Sequence, residues 1–372
     1  MPLQLPSTEI FLRSPYWITV NESQLDYVVC ELRIWTGAMG DEPIYSDIKI
    51  RSTALNDSTS IDIAEFARDF VEVRFEGTYE SNAVFISYEL TKNLQGQTSA
   101  PSPEAKVYLT GLDGYGTFQD GVNFAWANEV MISDPVVTAY PEEAIEIPVM
   151  QTNLTGYSLQ RFAAGYGGAY STFHAVTGLA PTDNSANMIR YVNSRFGGVL
   201  ADKILFHFDG IADETVLINY GDCNKFGLTR LSFVNRLGCI QTMHYFGRFD
   251  VKMSQKGNTY KRNLLSSGNY DATRHQDYTL NKNGRITMSL NTGWRAEEEN
   301  DSMIEMLMSE QIWIGVDSLK LGNGWVPKQS SLWIVPVTVK NSNLEIKNRL
   351  NDKMINYSLD FEAAQDWINS VR

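Results

Sequence analysis

Cysteine is scarce: Cys30, Cys223 and Cys239 are the whole supply in 372 residues. An odd, scattered set excludes a disulfide framework and leaves at least one thiol free, which fits synthesis in a reducing cytoplasm. Histidine is nearly as rare. His174, His207, His244 and His275 stand far apart, and no HxxxH, HxH or CxxC spacing brings metal ligands together. The acidic residues of "GDCNKFG" and "DGIADE" lack the alternating ligand spacing of a calcium loop. No run of about 18 apolar residues exists to cross a membrane as a helix. The opening "MPLQLPSTEIFLRSPYW" has no basic region leading into an apolar core, so no secretion signal is read. Positive charge is in deficit: 31 lysines and arginines against 44 carboxylates leave a net charge of -13. That balance opposes general binding to a phosphate backbone. A local basic face around Lys256, Lys261, Arg262 and Arg274 reads as solvated surface.

Apolar and aromatic residues are plentiful. A hydrophobic content of 43% fills the cores of two ordinary domains or three small ones, and aromatics at 12%, with 18 tyrosines and 8 tryptophans, suit β-sheets and interfaces. "YVVCELRIWTG", "PIYSDIKIRS" and "VEVRFEGTYESNAVFISYEL" alternate as strands do. In "STSIDIAEFARDFVEV", Ser60 or Asp62 is available as a cap before Ile63, Phe66, Ala67 and Phe70, the spacing of a short amphipathic helix. The fold class expected is mainly β. Residues 1–125 form an N-terminal β-sandwich of the immunoglobulin or fibronectin kind. Residues 126–200 are a connector whose glycine- and aromatic-rich stretch 151–200 is an ordered arm or loop. Residues 201–372 are a C-terminal β-rich domain with one or two short helices.

In that last part Ile204, Phe206 and Phe208 share one strand face, and Ile286, Met288 and Leu290 share another. Met303, Ile304, Leu307 and Met308 mark one face of a helix, before a strand at Ile312–Val316. Near the end, Leu344, Ile346 and Leu350 are expected to pair with Ile355, Tyr357, Leu359 and Phe361 around a turn at Asn351 and Asp352.

Each chemical reading is weak. In "LSFVNRLGCIQTMHYFGRFD" the nucleophile candidate Cys239 and the base candidate His244 are five positions apart, so one continuous strand would turn them to opposite faces. A buried thiol is the simpler reading. "VYLTGLDGYGTFQDGVNFAW" carries Gly111, Gly114, Gly116 and Gly121 in neither the dinucleotide nor the P-loop spacing, and reads as a turn. "EEEND", residues 297–301, is the acidic approach to a helix, where carboxylates oppose the positive end of the dipole. No catalytic, cofactor-binding or metal-binding residue is assigned, and no cofactor is expected.

The ordered phrases "LTRLSFVNRLGCIQTMHYF", "YKRNLL", "RHQDYTLNKNGRITMSLNTGW" and "PVTVKNSNLEIKNRLNDKMINYSLDFEAAQDWINSVR" resemble virion structural proteins of tailed bacteriophages, including short-tailed marine and crAss-like phages. "SPYWITV", "ELRIWTG" and "IDIAEFARDFVEV" resemble their front domain. The resemblance covers about residues 10–90 and 220–372. It implies a non-enzymatic tail or neck subunit, made in the host cytoplasm and built into a ring with copies of itself and neighbouring tail or neck proteins. No catalytic residue transfers with it. On that reading Phe233, Leu237, Tyr245 and Phe246 are scaffold, and Arg236 and His244 are polar groups at an edge or interface. The alternative is a receptor- or carbohydrate-binding module at the tail tip, with Trp294, Trp325 or Trp333 stacking on sugars. A hydrolase using Cys239 or a carboxylate pair is the remaining reading.

Overall fold

The computed structural model describes residues 9–36, 47–79, 82–116, 123–124, 126, 128–139, 145–150, 154–161, 170–175, 189–196, 199–220, 228–266, 268–270, 273–315, 334–341, 345–346, 354–365 and 367–368. The architecture is mainly β, with few helices. Contacts gather the chain into two compact units. One holds Met1–Tyr220, Phe233–Thr242 and Glu298–Ser309; the other holds Gly221–Ser232, Met243–Glu297 and Glu310–Arg372.

In the first unit, a five-stranded sheet runs in the order Glu9–Phe11, Val107–Leu112, Val84–Leu94, Leu25–Trp35 and Asp47–Thr53. Alternation along Leu25–Trp35 buries Val28, Cys30, Leu32 and Ile34 on one side. They share a core with Ile18, Val20 and Ile61 from the strand pair Trp17–Asn21 and Ser58–Asp62, so two sheets close a sandwich. The helix is short, Ala64–Arg68, and adds Ala64 and Ala67 to that core; Phe70, expected on its apolar face, lies beyond its end and is exposed. The Asp62 carboxylate accepts from the Ala64 N–H at 3.0 Å and the Tyr16 N–H at 3.1 Å. Asp62→Ala leaves both donors without that acceptor and is expected to cost about 1 kcal/mol, read as a lower urea midpoint at unchanged slope.

Residues 151–200 are partly described, and the described ones pair. A second five-stranded sheet has the order Tyr170–Ala175, Leu154–Arg161, Lys203–Phe208, Glu214–Tyr220 and Val136–Ala139, and Ile189–Asn193 pairs with Glu146–Met150. Leu154, Leu159 and Val192 join Ile204, Phe206 and Phe208 in its core, so part of the expected arm is a wall of this core.

The two glycine-bearing motifs meet in this unit. Strands Thr229–Val234 and Ile240–Tyr245 are joined by a turn in which the Asn235 side-chain oxygen accepts from the N–H groups of Leu237 (3.1 Å) and Cys239 (3.0 Å). Gly238 stands there at φ 79°. The Tyr115 N–H donates to the Arg236 carbonyl at 2.6 Å, laying the "GLDGYG" backbone directly on the turn. Gly114 and Gly238 permit this close backbone approach.

Helix Asn300–Met308 departs from expectation. Its inward face is Ser302, Met303, Glu305 and Met306, whereas Ile304 and Met308 are exposed. The inward polar groups are satisfied from distant positions. Asp134 accepts from the Ser302 N–H at 2.8 Å, Ser133 donates to Glu305, Thr138 donates to Glu299, and the Arg236 guanidinium pairs with Glu305 at 3.1 Å. Glu299 stands at the N-cap position of the helix as a buried hydrogen-bonded group, while Asp301 is exposed in the first turn.

An eight-stranded sheet has the order Ile240–Tyr245, Thr229–Val234, Ile312–Gly315, Ile334–Val339, Ser358–Ala363, Asp277–Asn291 and Phe249–Lys261, with Trp367–Ile368 also on Asp277–Asn291. Leu359 and Phe361 are fully buried, and their partners are Leu290 and Met288 on one side and, for Phe361, Val339 on the other. Ile355 pairs with Arg295. The expected local hairpin is thus replaced by pairing across long sequence separations; Leu344, Leu350, Asn351 and Asp352 lie outside the described residues, and Ile346 is not in a strand. Arg295 is buried, donates to the His244 carbonyl, and lies 5.6 Å and 5.7 Å from the Tyr245 and Phe246 ring centroids.

Candidate assembly interface

The feature least accounted for by core formation is the pair Phe249–Lys261 and Asp277–Asn291. Its base is ordinary sheet. Phe249 faces Leu290, Val251 faces Met288 and Met253 faces Ile286, and Ile286, Met288 and Leu290 are buried. Beyond a bulge between Lys256 and Asn258 the register continues as Asn258 with Leu280, Tyr260 with Tyr278 and Lys261 with Asp277. Trp367–Ile368 reaches only Asn283 and Gly284, and Ser358–Ala363 only Thr287–Asn291. Outward of the bulge two strands remain among the described residues.

Every described side chain from Lys252 to Asn263 and from Thr273 to Leu280 is exposed. Among them are Met253, Tyr260, Tyr278 and Leu280, each at least 40% exposed, with the two tyrosine rings 5.6 Å apart. Lys252, Lys256, Lys261 and Lys282 make no ion pair among the described residues, whereas Arg285 is paired with Glu362 at 3.6 Å. The bulge opens a hollow lined by Ser254, Lys256, Gly257, Asn258, Asn283 and Arg285. The basic residues Lys256, Lys261, Arg262 and Arg274 therefore belong to one hairpin and are exposed, as read.

The other candidates fall elsewhere. Cys239 belongs to the first unit, packed among Phe11, Leu112, Met131 and Leu237, and burial drives its thiol strongly towards the protonated form. His244 belongs to the second unit, stands on Ile240–Tyr245 at one end of the sheet order and is fully buried; loss of water, then the Arg295 and Arg230 charges, lowers it to about 3. Burial also pushes Cys30 up to about 11. Neither described thiol is activated. Phe233, Leu237, Tyr245 and Phe246 are all buried scaffold, and Arg236 is half-buried above the Trp126 ring at 5.0 Å. Trp294 is 61% exposed; Cys223, Gly121, Trp325 and Trp333 lie outside the described residues.

One constellation was not read from the sequence. His207 Nε2 lies 2.8 Å from Ser158 Oγ, and its Nδ1 lies 2.8 Å from Asp213 Oδ2. This is the order of contacts in a serine nucleophile, base and carboxylate set. Ser158, however, is buried in mid-strand with Phe173 on one side and Leu205 on the other, so its backbone N–H belongs to a sheet ladder and is not free to hold an oxyanion. Phe173 also leans over Gly156 towards His207, at 5.5 Å between rings. Sequence separation hid the set: the serine is 49 positions from the histidine, and only the strand register joins them. No group of three or more histidine, cysteine or acidic side chains suited to a metal occurs among the described residues.

No protein-family model matches the chain, and no curated protein matches it. Among solved structures it is similar to CBD12 from CALX1.2, at 10% identity over 55% of this chain and 79% of that one with a TM-score of 0.17. It is also similar to the calcium binding domain CBD12 of CALX1.1, at 12% identity over 54% and 75% with a TM-score of 0.16. Likeness at that level carries no argument about fold or ligand.

Proposed function

We propose that the chain is a non-enzymatic structural subunit of a bacteriophage tail or neck assembly, joined to copies of itself in a ring through its β-domains. The observation that carries this reading is the exposed two-stranded ribbon outward of Lys256 and Asn283. An isolated hairpin is marginal in water, so a ribbon of this length with tyrosines and leucine on its surface fits a partner better than solvent. The ordered phrases shared with tailed-phage virion proteins agree with it.

Light scattering with negative-stain imaging across a concentration series tests the reading. The expected result is a closed ring of fixed copy number; a monomer at every concentration overturns self-assembly. The absence of a hydrolytic role has its own test. A fluorophosphonate probe is expected to leave Ser158 unlabelled, because attack on the probe needs an accessible hydroxyl and a held oxyanion. Labelling at Ser158 that disappears in His207→Ala would overturn the non-enzymatic reading.

A further inference from the structure

We infer that the ribbon formed by residues 253–261 and 277–285 docks on the exposed carboxylates of the N-terminal sandwich in a second copy of this chain. This rests on the structural-subunit reading and names the contact behind it.

Charge distribution points to the occupant. Between residues 249 and 291 there are seven lysines and arginines against three aspartates, a net of +4. Residues 1–220 carry 28 carboxylates against 12 lysines and arginines, a net of -16. The chain is thus strongly acidic over its first part and locally basic on one hairpin. Asp26, Asp57, Glu65, Asp69 and Glu76 are exposed there, and Glu22 is exposed beside Lys92 at 3.4 Å. A contact between unlike patches is heterologous, the type that closes into rings when its rotation allows.

The chemistry of the ribbon supports a protein partner. Lysines on an outer strand discourage indiscriminate edge pairing, and the same charges select an acidic face. Tyr260, Tyr278 and Leu280 supply apolar anchor area of the kind found at interface centres. A phosphate backbone would use the cations and leave those groups in water. Unpaired N–H and C=O groups along the outer edge of Phe249–Lys261 add hydrogen-bonding capacity, since no described strand lies beyond it.

Two full-length variants test this. One reverses charge by Lys252→Glu, Lys256→Glu, Lys261→Glu and Arg262→Glu, all at exposed positions. The other replaces residues 257–282 by Asn-Gly, joining Lys256 to its cross-strand partner Asn283 and keeping the pairing of Asn283 and Gly284 with Trp367–Ile368. Circular dichroism checks that each is folded, and mass is followed by light scattering against concentration at low and high salt. Charge reversal is expected to raise the concentration for half-assembly at least about tenfold, and added salt to weaken the wild type. The shortened chain is expected to stay monomeric. Assembly of the shortened chain at wild-type concentrations overturns the ribbon as the contact while leaving the ring reading standing. A wild type that never assembles overturns the ring reading itself. Ribbon-dependent retardation of a duplex DNA probe by a monomeric wild type overturns both in favour of nucleic acid.

Discussion

Gly238→Ala destabilises the first unit by roughly 2–5 kcal/mol, combining about 1–2 for a left-handed backbone with about 1–3 for overpacking. At φ 79° an added Cβ would stand 2.7 Å from the Asp113 nitrogen, 2.8 Å from the Asp113 carbonyl carbon and 3.0 Å from the Gly114 nitrogen. Those are backbone atoms and have no rotamer to yield. Retreat is blocked as well, because the Arg13 guanidinium holds Asp113 with two hydrogen bonds of 2.7 Å and 2.9 Å. Asn235 holds the turn from the other side, with its side-chain nitrogen donating to the Met131 carbonyl at 2.8 Å. Gly210 is the internal control. It has φ 73° and nothing within 4 Å of an added Cβ, so Gly210→Ala meets strain alone, about 1–2 kcal/mol. Urea unfolding of both variants gives the comparison. Equal midpoints would show that the two loops are not held in backbone contact.

Legibility in the sequence follows from where water is. Leu25–Trp35, Lys203–Phe208 and the stretch from Ile286 to Leu290 each bury one face and leave the other mostly half-buried, so alternation reports them directly. The outer ribbon is wet on both faces. "KMSQKGNTYK" contains no period-2 pattern, and its lysines are exposed surface, as expected; only the register that sets Lys261 opposite Asp277 joins them in one ribbon. The helix Asn300–Met308 misleads for the opposite reason. Met308 and Ile304 are apolar but exposed, and Glu305 is buried because Ser133 and Arg236, more than sixty positions away, satisfy it. Periodicity weighs a residue by its own transfer energy and has no means of seeing a partner. The same limit applies to Ser158 and His207, and to Leu359, whose partner Leu290 is fixed by sheet register. Local pattern defines strands; the partners that make a site or an interface come from the fold.

Buried charge also decides how the protein responds to acid, and the two units are expected to respond in opposite directions. Asp134 in the first unit is raised from 3.8 to about 7, chiefly by loss of water, against the pull of its hydrogen bonds from Ser302 and with the push of Asp301 and Glu299. Between those values the folded state holds a proton that the unfolded chain has released. Its contribution to stability is fully present below the unfolded value and is lost as pH rises towards 7, at up to about 1.4 kcal/mol per pH unit. Glu305 is raised too, mainly by burial, and acts with the same sign. His244 in the second unit is lowered from 6.5 to about 3, so there the unfolded chain takes the proton first. Its contribution is fully present above 6.5 and is lost as pH falls towards 3, with a limiting slope of the same size. In global unfolding the two slopes oppose each other wherever both groups are titrating. Asp134→Asn keeps an oxygen for the Ser302 N–H and removes the acid-stabilised part, so this variant is expected to lose stability on moving from neutral to mildly acidic pH. His244→Gln removes the other part and is expected to gain on the same move. Urea midpoints for the wild type and both variants across that range supply the measurement. Three identical pH slopes would mean that neither group titrates in the folded protein as its surroundings dictate; opposite slopes would mean that each core sets its own pH dependence through a single buried group.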